Sequence, residues 1–143
     1  MTIARLIESR NSNVISCSAA TSVREAIDLL AERRIGALPV LAAGKVAGIF
    51  SERDVIYNLQ AQGPAALDRP VGEVMTAPAV TASPDTEVLE ALGLMTRRRI
   101  RHLPVVAANG AMIDFVSIGD LVKYRIELIE SEAEAMRVYI QSA

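Results

Sequence analysis

The stretch Val14–Val40, VISCSAATSVREAIDLLAERRIGALPV, returns 65 residues later as Ala79–Val105, AVTASPDTEVLEALGLMTRRRIRHLPV. Thr21 lies over Thr86 and Val23 over Val88. Glu25-Ala26 lies over Glu90-Ala91, and Leu30 over Met95. Arg33-Arg34-Ile35 lies over Arg98-Arg99-Ile100, and Leu38-Pro39-Val40 over Leu103-Pro104-Val105. One inserted residue then moves the offset to 66, so GIFSERD (Gly48–Asp54) lies over DFVSIGD (Asp114–Asp120). The insertion falls between LAAGKVAG and VAANGAMID, two hairpin-like turns, where insertions are tolerated. The chain is a tandem duplication.

Each copy carries the same order of elements. A short strand comes first, at Val14–Cys17 or at Val80 and Thr81. Val23, Ala26, Ile27 and Leu30, like Val88, Ala91, Leu92 and Met95, follow the i, i+3, i+4, i+7 spacing of an amphipathic helix. Thr21 and Thr86 are the expected N-caps. Apolar strands follow around Leu38–Leu41 and Leu103–Val106. A Gly-containing turn leads to a second strand, Val46–Phe50 or Met112–Val116, and a helix opens at Ser51 or Ser117. The predicted fold is α+β: two β-α-β-β-α units packed about a pseudo-two-fold axis. The division is an N-terminal helical segment 1–13, repeat 1 at 14–62, a linker 63–78, repeat 2 at 79–130 and a C-terminal helical extension 131–143. Gly63-Pro64 and Arg69-Pro70 break helices in the linker, whose Val71, Val74 and Met75 are expected to dock on the core.

The composition bounds the function. Of the 143 residues 51% are hydrophobic but only 3% aromatic, so the core is built from aliphatic side chains. A net charge of -2 gives no basic field for nucleic acid or anionic membrane. The single cysteine, Cys17, reads as a small buried hydrophobe and cannot form an internal disulfide. The charged N-terminus does not read as a signal peptide, and no apolar run approaches a membrane span. The expectation is a cytoplasmic protein.

Ser51-x-x-Asp54 and Ser117-x-x-Asp120 each resemble a capping box, with Ser at the N-cap and an acid at N3. That structural role and a binding role use the same geometry, because a helix N-terminus also favours an anion. Arg33-Arg34 and the run Arg97-Arg98-Arg99-Ile100-Arg101-His102 close the first helix of each copy. Cations near a helix C-terminus explain Arg33, Arg97 and Arg98. Arg101 and His102 stand just before a strand, where a phosphate could be clamped. His102 is the only histidine and has no ligand-spaced Cys or Asp beside it, so neither a metal site nor a catalytic triad is expected.

IGALPV with IRHLPV, GIFSERD with VSIGD, and VGEVMT ahead of the second copy together resemble the cystathionine-β-synthase (CBS) domain pair, or Bateman module, over Val14 to Glu127. The resemblance implies a free-standing sensor that binds an adenine ligand between the repeats and signals to a partner protein. AMP or NAD(H) is the first expectation, ahead of ADP, ATP or S-adenosylmethionine. It also implies that Asp54 and Asp120 hold ribose, and that Ser51, Ser117, Arg53, Arg101 and His102 hold ribose or phosphate. The implied adenine slots comprise Ile15, Ser16, Ala37, Leu38 and Pro39, with Val80, Thr81, Leu103 and Pro104 as the counterpart. The copies differ: Gly48 becomes Asp114, Arg53 becomes Gly119, and Gly36-Ala37 becomes Arg101-His102. A carboxylate at Asp114 would repel a phosphate if it faced the cleft.

Val122, Ile126, Ile129, Ala133, Met136 and Ile140 form a heptad-like stripe. It reads either as a helix packed on its own domain or as a homodimer contact. The resemblance favours the latter, as a flat four-repeat disc, with Ile3, Leu6 and Ile7 joining that surface. Two competing functions are a small nucleotide hydrolase using Asp54 or Asp120 as base and a nucleic-acid binder using the Arg97–Arg101 cluster. The acidic balance and the scarcity of aromatics for base stacking weigh against nucleic acid.

Overall fold

The apolar stripes become helices one residue later than the expected caps. The computed structural model describes residues 1–10 and 13–142, so positions 11, 12 and 143 at the ends of the predicted terminal segments lie outside the described residues. Helices α2 (Val23–Arg33) and α5 (Val88–Arg98) have Ser22 and Glu87 at the N-cap, not Thr21 and Thr86. Ser22 accepts from the Glu25 amide at 3.1 Å. The threonines instead close the turn before the cap, where Thr21 accepts from the Ser18 amide and Thr86 from the Ser83 amide. Both helices end on a left-handed arginine, Arg34 and Arg99, with φ of 53° and 55°. The next amides, of Ile35 and Ile100, reach back to Leu30 and Met95, which satisfies carbonyls the helix leaves open.

Each helix leads into an antiparallel hairpin: β2 (Ala37–Ala42) with β3 (Lys45–Ser51), and β4 (His102–Val106) with β5 (Met112–Ser117). Ala43 and Gly44, both at positive φ, make the tight first turn. The second turn is longer, spanning Ala107 to Ala111, which is where the inserted residue resides. The leading strands are shorter than expected. In repeat 1 only Cys17–Ser18 (β1) pairs, parallel to β2. In repeat 2 the expected strand at Val80 and Thr81 reduces to one parallel bridge, Ala82 to Val105. Pro78 and Pro84, which cannot donate to a ladder, bracket that segment. Helices α3 (Glu52–Gln62) and α6 (Ile118–Ser142) complete the repeats.

The segments ahead of the two repeats are exchanged. Helix α4 (Val71–Val74) precedes repeat 2 but docks on repeat 1: Val71 N–H donates to Thr21 O at 2.7 Å and Gly72 N–H to Ala19 O at 2.9 Å. The approach is so close that a Cβ on Gly72 would lie 2.8 Å from the Ala19 Cβ. Helix α1 (Ile3–Glu8) precedes repeat 1 but docks on repeat 2, through Ile3 N–H to Thr86 O and Ala4 N–H to Pro84 O, both 2.9 Å. The cores follow this exchange. Val71 and Val74 are buried with Val23, Ala26, Leu38, Val40 and Phe50, and Met75 packs against them. Ile3 and Leu6 are buried with Val88, Ala91, Met95, Leu103 and Val116, and Ile7 packs against that cluster. Docking of the linker is therefore as expected. The N-terminal stripe is not: it is core, because it supplies the apolar cap that repeat 2 needs.

Helix α6 runs 25 residues, about 37 Å, and only Leu121 of it is buried. Val122, Ile126, Ile129, Met136 and Ile140 stand 41–65% exposed, so the chain does not cover its own heptad stripe. No helix among the described residues is long and apolar enough to cross a membrane.

Ile3→Ala should cost about 2–5 kcal/mol, the usual range for truncating a buried isoleucine. In hydrogen exchange the loss should show first in β4 and β5. Equal or earlier loosening of β2 and β3 would contradict the exchanged docking.

Candidate functional site

Between the repeats lies a cleft of about 310 Å³, within the range of small-molecule pockets. Repeat 1 supplies Gly36, Ala37, Ile49, Ser51 and Asp54 to its wall. Repeat 2 supplies Val80 and the run from Arg98 to His102, and the linker supplies Thr76 and Pro78. Four arginines, Arg53, Arg98, Arg99 and Arg101, share this wall with two carboxylates, Glu52 and Asp54. The surplus is positive and suits an anionic ligand.

GIFSERD forms the floor. Ser51 is the N-cap of α3, and a reciprocal capping box is present. The Ser51 amide donates to Asp54 Oδ2 at 2.8 Å, and the Asp54 amide donates to Ser51 Oγ at 3.4 Å. Ser51 Oγ also donates to Asp54 Oδ2 at 3.2 Å, and Thr76 Oγ1 donates to Asp54 Oδ1 at 3.0 Å. Oδ2 thus takes two donors and Oδ1 one, which leaves Oδ1 an acceptor position to spare. Arg53 reaches across the cleft, its Nη1 donating to the Arg99 carbonyl at 2.8 Å.

Five of the expected ribose and phosphate residues, Ser51, Arg53 and Asp54 of repeat 1 with Arg101 and His102 of repeat 2, come together in this one cleft. Ala37 and Val80 both line it, so its apolar surface draws on both repeats. Leu38, Pro39, Leu103 and Pro104 are not in that wall but buried; Leu38 and Leu103 are fully enclosed in the two cores, because alternate strand residues point away from the cleft. Ile15 packs on the first core, and neither it nor Ser16 or Thr81 lines this cleft. Arg97 is exposed and also outside the wall. Thr76, the last residue of VGEVMT, and Tyr57, one turn beyond Asp54, were not anticipated. Thr76 is linker in sequence and reaches Asp54 only because α4 docks on repeat 1.

The second motif repeats the cap. The Ser117 amide donates to Asp120 Oδ2 at 2.8 Å, and the Asp120 amide donates to Ser117 Oγ at 3.1 Å. Its surroundings differ, since Asp120 is ion-paired with Arg10 at 2.9 Å. Burial alone would raise the Asp120 carboxyl, but the Ser117 amide and the Arg10 guanidinium outweigh it and hold it low. Asp114 is 1% exposed and also pairs with Arg10, so it does not confront the cleft as a bare charge. Burial pushes the Cys17 thiol up to about 11, in keeping with an inert core position. Among the described residues no group of three or more His, Cys, Asp or Glu is placed to hold a metal ion.

His102 stacks on Phe115 with ring centroids 5.4 Å apart. Burial first, and Arg101 second, push its imidazole below the ordinary 6.5, while Asp120 and Glu52 pull the other way. Burial and Arg101 both favour the neutral ring in the ligand-free cleft. The unfolded chain binds the proton more readily, so this contribution to stability is intact above about pH 6.5 and is lost as pH falls below it. Denaturation midpoints measured between pH 8 and 5.5 should fall toward acid, and His102→Gln should flatten that slope. An unchanged slope in the variant would contradict the assignment.

Comparison with known proteins agrees with this architecture. The family model of the CBS domain matches twice, at residues 7–61 and 71–127. The CBS domain-containing protein CBSX3, mitochondrial, of Arabidopsis thaliana is 37% identical over 130 residues; the match covers 87% of this chain and 63% of that relative. A solved structure of a protein with CBS domains from Burkholderia ambifaria superposes with a TM-score of 0.81 at 35% identity, covering 89% of this chain and 95% of the other. CBSX2, solved in complex with AMP, superposes with a TM-score of 0.77 at 26% identity, covering 89% and 97%. The two matched repeats, their mixed α+β fold and the cleft between them place this chain in the CBS-domain family, as a tandem pair.

Proposed function

We propose that the chain is a regulatory module that binds an adenine nucleotide in the Asp54 cleft and passes the binding on to a partner protein. The observation that carries this reading is the convergence, in one cleft, of a carboxylate with an acceptor position to spare, an apolar slot and four arginines. One ribose hydroxyl donates to Asp54 Oδ1, and Thr76 or Ser51 serves the second. The base lies between Ala37 and Val80, contacted largely through backbone. The phosphate draws Arg53 away from the Arg99 carbonyl and meets Arg101. A phosphate repays that lost hydrogen bond with charge-assisted ones, which are roughly twice as strong as neutral ones. AMP is the first ligand to test, because the similar CBSX2 was solved with it. NAD(H) follows, and ADP, ATP and S-adenosylmethionine come after.

Arg53 gives the module a way to signal. It ties helix α3 of repeat 1 to the end of α5 of repeat 2. A ligand that breaks this tie favours a different setting of the repeats, provided that it binds one setting more tightly. We also place the protein in the cytoplasm and its regulatory output in a homodimer. The exposed α6 stripe has the 4-3 spacing of a helix-pairing seam, and the chain leaves it uncovered.

A thermal-shift series with these ligands, followed by calorimetry, tests the nucleotide. At 100 times its dissociation constant a ligand adds about 2.7 kcal/mol of stability. Asp54→Asn should weaken binding at least about tenfold, equivalent to about 1.4 kcal/mol. Turnover of AMP or NAD that disappears in Asp54→Asn would favour a hydrolase instead. For the dimer, light scattering should give twice the chain mass. Ile129→Glu with Met136→Glu should return a folded monomer. A wild-type monomer would remove the α6 seam from the account.

A further inference from the structure

The second Ser-x-x-Asp motif is already engaged by a cation of this chain. Arg10 follows α1 and sets its guanidinium between two carboxylates. Nη1 lies 2.9 Å from Asp120 Oδ2, and Nη2 lies 3.0 Å from Asp114 Oδ1. Nε donates to Asp114 Oδ2 at 3.3 Å, and Nη2 donates to the Phe115 carbonyl at 3.0 Å. The fork is thus held on several sides, with the planar geometry that suits a guanidinium.

In repeat 1 the same station is held by Thr76. Its hydroxyl touches Asp54, and its backbone pairs with Ile49, whose counterpart in repeat 2 is Phe115. Thr76 and Arg10 arrive by equivalent routes, each just beyond an exchanged helix. The first repeat therefore meets its carboxylate with a small neutral hydroxyl, and the second with a bulky cation. The difference between Gly48 and Asp114 accounts for the choice. A Cβ at Gly48 would lie 2.7 Å from Met75 Sδ and 2.8 Å from the Thr76 carbonyl, so repeat 1 has no room for an anchor there. Repeat 2 accommodates Asp114, nearly fully buried, and Asp114 fixes the fork. Without that anchor Arg10 would face only Asp120, whose side chain is 37% exposed, and surface pairs of that kind hold weakly.

We propose that Arg10 is a built-in occupant of the Asp120 station, the counterpart in repeat 2 of the Asp54 site: it takes the Asp120 carboxylate in place of a sugar diol and confines nucleotide binding to the Asp54 cleft. A ribose would have to displace a guanidinium that Asp114 and the Phe115 carbonyl also hold. Asp114 is then the part that sets the stoichiometry, since it holds Arg10 in place. The inference rests on the nucleotide reading of the Asp54 cleft.

Calorimetric titration with AMP tests it. Wild type should bind one AMP per chain. Asp54→Asn should abolish that binding, and Asp120→Asn should leave the one site in place. The double variant Arg10→Ala, Asp114→Gly gives the Asp120 station the glycine of the first repeat and should bind two AMP per chain. Adding Asp120→Asn to the double variant should return the count to one. A folded double variant that still binds only one AMP would overturn the role of Arg10; should the double variant fail to fold, the wild-type count still bears on the proposal. Two AMP per wild-type chain, or loss of the single site in Asp120→Asn, would overturn the role of Arg10. No AMP binding by any form, the double variant included, would instead overturn the nucleotide reading beneath it.

Discussion

Ile3 and Leu6 close the core of the second repeat, and Val71 and Val74 close that of the first. Each repeat is thus finished by a helix that, along the chain, introduces the other. A β-α-β-β-α unit of this size buries little by itself, and the exchange lets two such units stabilise one another. The constraint also has a positional result. A chain that must cross from one repeat to the other carries the residues after each helix past the end of the opposite hairpin. Thr76 and Arg10 are those residues, and each arrives beside the carboxylate of a Ser-x-x-Asp motif.

The two carboxylates therefore share a local frame and differ in what meets them. Asp54 and Asp120 both close a reciprocal cap with a serine, a role that any helix start could use. Function enters through the third group. A threonine leaves Asp54 with acceptor capacity, and four arginines give its cleft a positive balance. An arginine leaves Asp120 paired within the chain. Duplication supplied two equivalent stations, and single-residue differences at 48 and 114 and at the following segments set them apart. Helix capping and ligand recognition are consequently not rival explanations of GIFSERD. The cap holds the carboxylate still, and a carboxylate already held in position would lose little entropy on binding the proposed ribose.

The repeat made most of the fold legible. Matching 27 residues at one offset, and seven more after a one-residue shift, pointed to the helices, the hairpins and the turn insertion. The misplaced features were local. Thr21 and Thr86 look like caps, yet Ser22 and Glu87 hold that position, because the threonines are taken up by the preceding turn. The strand expected at Val80 and Thr81 shrank to a bridge between flanking prolines. Ile3, Leu6 and Ile7 were visible as a stripe, but nothing in a stripe says which surface it covers, and the partner was the distant second repeat. The site showed the same division. Ser51, Asp54, Arg53, Arg101 and His102, expected from the family resemblance, do line one cleft. Thr76 and Arg10 were not, since their roles depend on a chain crossing that leaves no local pattern. Leu38, Pro39, Leu103 and Pro104 were expected in the ligand slot but lie buried outside the cleft wall, because strand alternation alone does not tell the cleft face from the core face.

A crystal structure of the protein grown with AMP measures the central claim directly. The account expects density between the repeats, with a ribose hydroxyl within hydrogen-bond distance of Asp54 Oδ1, the base between Ala37 and Val80, and Arg53 released from the Arg99 carbonyl. AMP bound elsewhere, with Asp54 held only by Ser51 and Thr76 and Arg53 still on Arg99, would contradict it.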